Sequence, residues 1–162
     1  SPVIAAEVSV TGERQAAISQ GFRLLADYIF GNNISSQKIA MTAPVQQQSS
    51  EKIAMTAPVL QQSDSEGWLV RFIMPSTYTM QTLPKPLNPR VRIREIPAER
   101  FAAIRFSGKI TDDNILTHEK LLGDYVRTNL LVAGGSAVYA FYNPPWTLPF
   151  MRRNEILIRL AD

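Results

Sequence analysis

Cysteine is absent from the 162 residues, which excludes disulfide frameworks, thiolate nucleophiles, iron–sulfur clusters and cysteine-ligated zinc together. Histidine is represented once, by His118. Acid–base or nucleophilic chemistry wants a positioned pair of groups and finds little to use here. The chain is therefore expected not to be an enzyme, with no catalytic residue and no metal ligand. Long apolar runs are also missing. None approaches the roughly eighteen residues that span a bilayer, and Ser1-Pro2 opens directly into Val3-Ile4 without the basic, apolar and small-residue succession of a secretory leader. A soluble chain is expected, in the cytoplasm or, if a leader has been removed, outside it. Charge of one sign is lacking too, since 17 basic and 14 acidic residues are scattered to a net +3. The densest basic stretch, Arg90, Arg92 and Arg94, alternates with Val91 and Ile93. That pattern suits a strand with one solvated face, and without interleaved aromatics it points to no nucleic-acid partner.

What is present is the making of one domain: 45% hydrophobic residues in a length that can bury its own core. Ile4, Ala6, Val8 and Val10 alternate with Ala5, Glu7 and Ser9, which predicts a half-buried strand. Thr11 then suits an N-cap and Glu13 the positive end of a helix. Ile18, Phe22, Leu25 and Ile29 recur at helical spacing until Gly31-Asn32-Asn33 stops the run. Two identical octapeptides follow, 38–45 and 52–59, each reading Lys-Ile-Ala-Met-Thr-Ala-Pro-Val. They are expected to be strands around a polar loop, each ending its paired stretch at Pro44 or Pro58. Trp68 to Met74 reads as a strand. Pro75, Pro84, Pro86 and Pro89 make 75–90 a connector.

Beyond it, Val91 to Ile96 and Arg100 to Phe106 are expected to form a hairpin. A second helix starts at Thr111-Asp112-Asp113 and runs through Ile115, Leu122, Val126 and Leu130 towards Gly134-Gly135. Strands at Ala137 to Tyr142 and Glu155 to Leu160 close the chain around an Asn143-to-Pro149 loop. Asp112-Asp113 is explained by capping and the dipole rather than by catalysis.

The stretch Leu24 to Phe30 mirrors Leu121 to Arg127 at an offset of 97, with Asp27-Tyr28 against Asp124-Tyr125. This argues for an internal repeat: halves at about 1–74 and 91–162 within one domain over 1–162, each a strand, a helix and two strands. The predicted fold is α+β, a distorted antiparallel sheet bent or closed into a barrel, with two flanking helices and a pseudo-twofold axis. The second half has a strand ahead of its helix-leading strand and the first does not. A missing strand, or an open sheet edge, is therefore expected.

Three ordered segments carry a family resemblance: Tyr28-Ile-Phe-Gly31 leading to the octapeptide at 38–45, Pro75-Ser-Thr-Tyr78 with Leu83-Pro-Lys-Pro86, and Tyr142-Asn-Pro-Pro-Trp146 with Arg152-Arg-Asn-Glu155. Together they resemble the SOUL heme-binding family over nearly the whole chain. The resemblance implies a distorted β-barrel with two helices, similar in plan to small-molecule effector-binding domains. It further implies a hydrophobic cleft beside the first helix that takes heme or another tetrapyrrole. Carried onto this sequence, the cofactor-binding residues are Ile18, Phe22, Leu25 and Ile29, with Met41 and Met55 from the octapeptides and Arg23 for a propionate. Vertebrate relatives carry basic residues where Ser19, Asp27 and Thr147 stand here, leaving Arg14 or Arg23 as substitutes. Some members' proposed histidine ligand lies early in the chain, whereas His118 is on the second helix, so heme would be held by burial with weak or no axial ligation. The expected partner is a small hydrophobic or amphiphilic ligand such as heme. The alternative is a binding module for another amphiphile, and the oligomeric state is not legible.

Overall fold

Eight residues form strand β1, Val3–Val10, buried on both faces from Ala5 to Val8, with Ala6, Val8 and Val10 entering the core under the first helix. Helix α1, Arg14–Ile29, packs back across it. The computed structural model describes residues 1–35, 50–144 and 146–161. Within them follow β2 (Asn33–Ile34), β3 (Val59–Asp64), β4 (Gly67–Ile73), β5 (Lys85–Pro86), β6 (Arg92–Ile96), β7 (Phe101–Phe106), α2 (Asp112–Thr128), β8 (Val138–Phe141) and β9 (Asn154–Arg159). Two of these, β2 and β5, pair only with each other.

The remaining seven strands make one sheet in the order β6-β1-β4-β3-β8-β9-β7, every neighbouring pair antiparallel. Of the two expected forms, a bent sheet or a closed barrel, it is the first: the sheet is open, with edges at β6 and β7. It is nonetheless strongly curled. Six strand spacings of about 4.8 Å would set the edges roughly 29 Å apart in a flat sheet, yet only 97–100 join β6 to β7. Those five Cα steps reach at most about 18 Å. The face turned away from the helices is correspondingly enclosed: Ala5, Glu7, Val138 and Ala140 are all buried there. Glu7 is held in the curl by Arg71 at 2.9 Å and Arg94 at 2.8 Å, so the expected solvated arginine face of β6 is in part an ion-pair face.

The expected hairpin of 91–96 with 100–106 does not form. Instead β6 pairs with β1, Val3 opposite Ile96 and Glu7 opposite Arg92, and β7 pairs with β9. The reason lies in the core, since Val91 and Ile93 pack into the cluster under α1. Burying them there covers the outer side of β1 and leaves β7 as an open edge.

Two caps were misjudged. The N-cap of α1 is Glu13, whose side chain makes no capping bond, while Thr11 stands outside the helix. On α2, Thr111 does cap, accepting from the Asn114 N–H at 3.3 Å. That helix ends at Thr128, well before Gly134, because Leu130 takes a left-handed φ of 55°. In the octapeptide 52–59, only Val59 lies in a strand. Its proline precedes the paired stretch because it has no N–H to give the ladder. The copy at 38–45 lies outside the described residues. Separate apolar clusters sit under α1 and α2, and Trp68 packs against both.

Candidate functional site

On the helix side of the sheet one register row runs Ala6, Phe72, Val59, Phe141, Asn154, Phe106 across β1, β4, β3, β8, β9 and β7. Directly paired residues share a face, so Phe72, Val59 and Phe141 lie side by side, and the first helix packs over the β1 and β4 end of the row. Phe22 rests on it edge-on, its ring 5.4 Å from that of Phe72 at 63°. Residues four apart on a helix form one stripe. Along α1 that stripe is Ile18, half-buried, then Phe22, 37% exposed, Ala26, buried, and Phe30, 58% exposed just past the helix end. Phe22 and Phe30 stand about 12 Å apart along the axis, with only the methyl of Ala26 between them. The result is an apolar shelf with an aromatic at each end.

The residues singled out in the sequence are partly brought together here. Ile18 and Phe22 lie on the shelf. Leu25 and Ile29 are fully buried beneath it, packed with Val8, Val70 and Phe72. Arg23 is exposed on the flank, its Nε donating to the Ser19 carbonyl at 3.3 Å. Met55 is 45% exposed, in the segment that the Ile53 N–H ties to the Ile29 carbonyl at 2.7 Å. Met41 lies outside the described residues. Sequence reasoning missed Ala26 and Phe30. The four-residue spacing from Ile18 continues through both and could have found them.

A polar seam joins the starts of the two helices. Arg14 gives Nη2 and Nε to Asp112 at 2.6 and 3.2 Å and Nη2 to the Ile110 carbonyl at 3.0 Å. It is thereby committed to α2 rather than to a ligand. Buried Gln61 donates to the Arg14 carbonyl at 2.8 Å. Among the described residues, Gln61 Oε1 and Arg14 Nη1 find no partner. Opposite Gln61, Tyr139 donates to Glu119 at 3.1 Å. Burial first, and Glu119 second, push the Tyr139 hydroxyl up to about 12. His118 is elsewhere, stacked on Phe106 at 4.2 Å with Nδ1 2.7 Å from the Asn114 carbonyl. Among the described residues, no three His, Cys, Asp or Glu side chains gather as metal ligands.

A groove of about 470 Å³ opens at the other end of β1, between Val3, Ile4, Met74, Tyr78 and Met80, and Glu95 is its one charged wall. A second depression of about 450 Å³ lies between Arg105, Phe106 and Phe150. Neither is lined by any of the six sequence-predicted residues that lie among the described ones.

The β8–β9 loop leaves the sheet just beyond Phe141, level with Phe72 and Phe22. Its base is anchored by two arginines. Arg152 Nε donates to the Thr147 carbonyl at 2.7 Å, and Arg153 pairs with Glu155 at 2.6 Å and lies 4.2 Å over the Tyr142 ring. Trp146, in the same loop, is 83% exposed.

Comparison with known proteins adds the lineage. Two solved structures, each described as a hydrolase from Listeria innocua, align at TM-score 0.59 over 99% of this chain and 88% of theirs. Their identities are 9% and 8%, a likeness that shows a shared fold. A structure of SAV2435 bound to tetraphenylphosphonium aligns at TM-score 0.48 with 9% identity, covering 99% of this chain and 90% of that one. Among curated proteins, none matches the chain by sequence. The family model described as SOUL heme-binding protein matches residues 1–50 and 46–159, and the chain therefore belongs to the SOUL heme-binding family.

Proposed function

We propose that this protein binds heme or a related tetrapyrrole, without catalysing a reaction, on the apolar shelf of the first helix. The observation that carries the reading is the exposed Phe22 seated on Phe72, continued by Ile18, Ala26 and Phe30. A flat macrocycle can cover such a stripe, and burying aromatic and aliphatic surface supplies most of the affinity for a ligand of that kind. The exposed guanidinium of Arg23 can meet one propionate. Leu25 and Ile29 support the shelf from below, and Met55 is the thioether among the described residues that can reach across it. The fit is to an apolar plate with a cationic flank, so burial rather than axial ligation holds the group. Bound there, heme would bring iron chemistry of its own, while the shelf decides how much of the macrocycle water reaches.

The strand order supports a pseudo-twofold arrangement of halves. Read from the middle of the sheet, β3-β4-β1 and β8-β9-β7 are the same sequence of positions. Arg14 and Asp112, the first residue of each helix, meet between the halves. Under this reading one ligand shelf has evolved on one half only, because α2 presents Glu119 and Gly123 where an apolar stripe would be needed.

A second reading rests on the groove at the start of β1. Its wall of Val3, Ile4, Met74 and Met80 with Glu95 as the one charged group suits a neutral or cationic amphiphile and repels a dianion. Hemin titration of the purified protein, followed at the Soret band, separates the two. Saturable one-to-one binding that weakens by at least about tenfold in Phe22→Asp, and is indifferent to Glu95→Gln, is expected. Binding that ignores Phe22→Asp rules the shelf out. A lipophilic cation whose binding is lost in Glu95→Gln would favour the groove.

A further inference from the structure

We propose that the tip of the β8–β9 loop docks the protein on an anionic lipid surface. In six consecutive residues, Trp146 is 83% exposed, Leu148 55%, Phe150 74% and Met151 63%. A soluble surface scatters such side chains singly, and a contiguous group of them marks an interaction site. The exposure belongs to a fixed conformation. Backbone bonds from the Thr147 N–H to the Pro144 carbonyl and from the Met151 N–H to the Leu148 carbonyl hold the turn, and the Gly108 N–H bonds the Pro149 carbonyl at 2.9 Å. Little backbone ordering therefore remains to be met on contact, the cost being that of the side chains.

The shape and the charge select the partner. Trp146 and Leu148 border neither of the two grooves described, and the depression beside Phe150 and Met151 is walled by Arg105 and Arg152 as well as Phe106, so the four side chains do not form one apolar groove for a peptide. Together they expose on the order of 600 Å², less than the roughly 800 Å² per partner that a stable dimer buries. A lipid interface needs no such area, because each buried methylene adds to partitioning. Tryptophan at the tip suits the headgroup layer. Cations lie at the base: Arg105 shares a depression with Phe150 and Met151, Lys109 follows Gly108, and Arg152 and Arg153 continue the loop. Glu155 is paired with Arg153 and Asp112 with Arg14, so the positive charge of the collar is carried chiefly by Arg105 and Lys109. Apolar tips over a basic collar are what an anionic bilayer recognises. The inference is independent of whether the α1 shelf takes heme.

Cosedimentation with phosphatidylcholine vesicles, with and without phosphatidylglycerol, tests it, read together with tryptophan fluorescence. The wild type is expected to bind the anionic vesicles with a blue shift, more weakly as salt rises. Leu148→Ser with Phe150→Ser should lower the bound fraction by at least about tenfold, and Trp146→Phe should remove the shift because Trp68 is held on the sheet by its bond to the Gly12 carbonyl. All three positions are exposed, so the variants retain the fold. Absence of binding to anionic vesicles overturns the proposal, as does equal binding by the Leu148→Ser, Phe150→Ser variant. So does a wild-type dimer in sedimentation velocity that the double variant dissolves, which would make the tip a contact between two copies.

Discussion

Tyr139 shows how one hydroxyl ties the second half together. It sits opposite Gln61 in the ladder and reaches up from the sheet to Glu119 on α2. Burial and that carboxylate push its ionisation up to about 12, whereas an unfolded chain releases the proton near 10. Between those values the unfolded state binds fewer protons than the native state, so stability falls as pH rises. The contribution is complete below about pH 10 and is lost towards pH 12. Denaturant midpoints measured across that window should fall in the wild type, and fall less steeply in Tyr139→Phe. A decline as steep in the variant would assign it to other groups, Tyr28 first among them, since burial raises its ionisation as well. At this scale the sequence was informative wherever a residue's neighbours lie within a turn of helix. Ile18 and Phe22 were legible for that reason. The exposure of Trp146 was not, because whether a proline-rich loop folds inward depends on what the sheet sets beside it.

At the scale of elements, α1 and β4 approach each other closely at Gly21. A Cβ added to Gly21 would lie 2.6 Å from Cγ2 and 2.7 Å from Cβ of Val70, which is fully buried. Alanine is the better helix former by about 1 kcal/mol, yet the clash is with a branched side chain that has no room to move, and overpacking of this kind costs about 1–3 kcal/mol. Gly21→Ala is therefore expected to be destabilising on balance in urea unfolding, and Val70→Ala in the same chain should recover part of the loss. A stabilised Gly21→Ala would mean that α1 lifts from the sheet easily. The same closeness explains why the shelf is well placed, since a glycine in contact with the sheet lets Phe22, one residue on, reach Phe72. Periodicity located α1 and α2 to within a few residues because a helix buries a stripe set by its own 3.6-residue turn. It misassigned β6, whose alternation of Arg92, Arg94 and Ile93 is satisfied equally by any antiparallel neighbour. Only the apolar pocket under α1, which takes Val91 and Ile93, distinguishes β1 from β7.

For the whole molecule, the two halves of the sequence interlock in the structure. β6 follows the connector yet completes the first sheet edge, β3 pairs with β8 across the middle, and Arg14 reaches Asp112. The full chain is expected to unfold in one cooperative transition by circular dichroism. A fragment of residues 1–90, deprived of β6, β8 and Asp112, is expected to show none. Two transitions, or a folded fragment, would make the halves independent domains. The sequence by itself determined the class of fold, the two helices, the order of most strands and the family, because these depend on local periodicity, on turn and cap residues, and on motifs that stay readable in one dimension. Tertiary structure alone decided that the sheet curls without closing, that β6 covers β1, that Leu25 and Ile29 lie under the shelf while Phe30 extends it, and that an apolar loop tip points outward. Each of these depends on the packing of residues far apart in the chain, where alternative partners satisfy the same local pattern and only the total burial of apolar surface chooses among them.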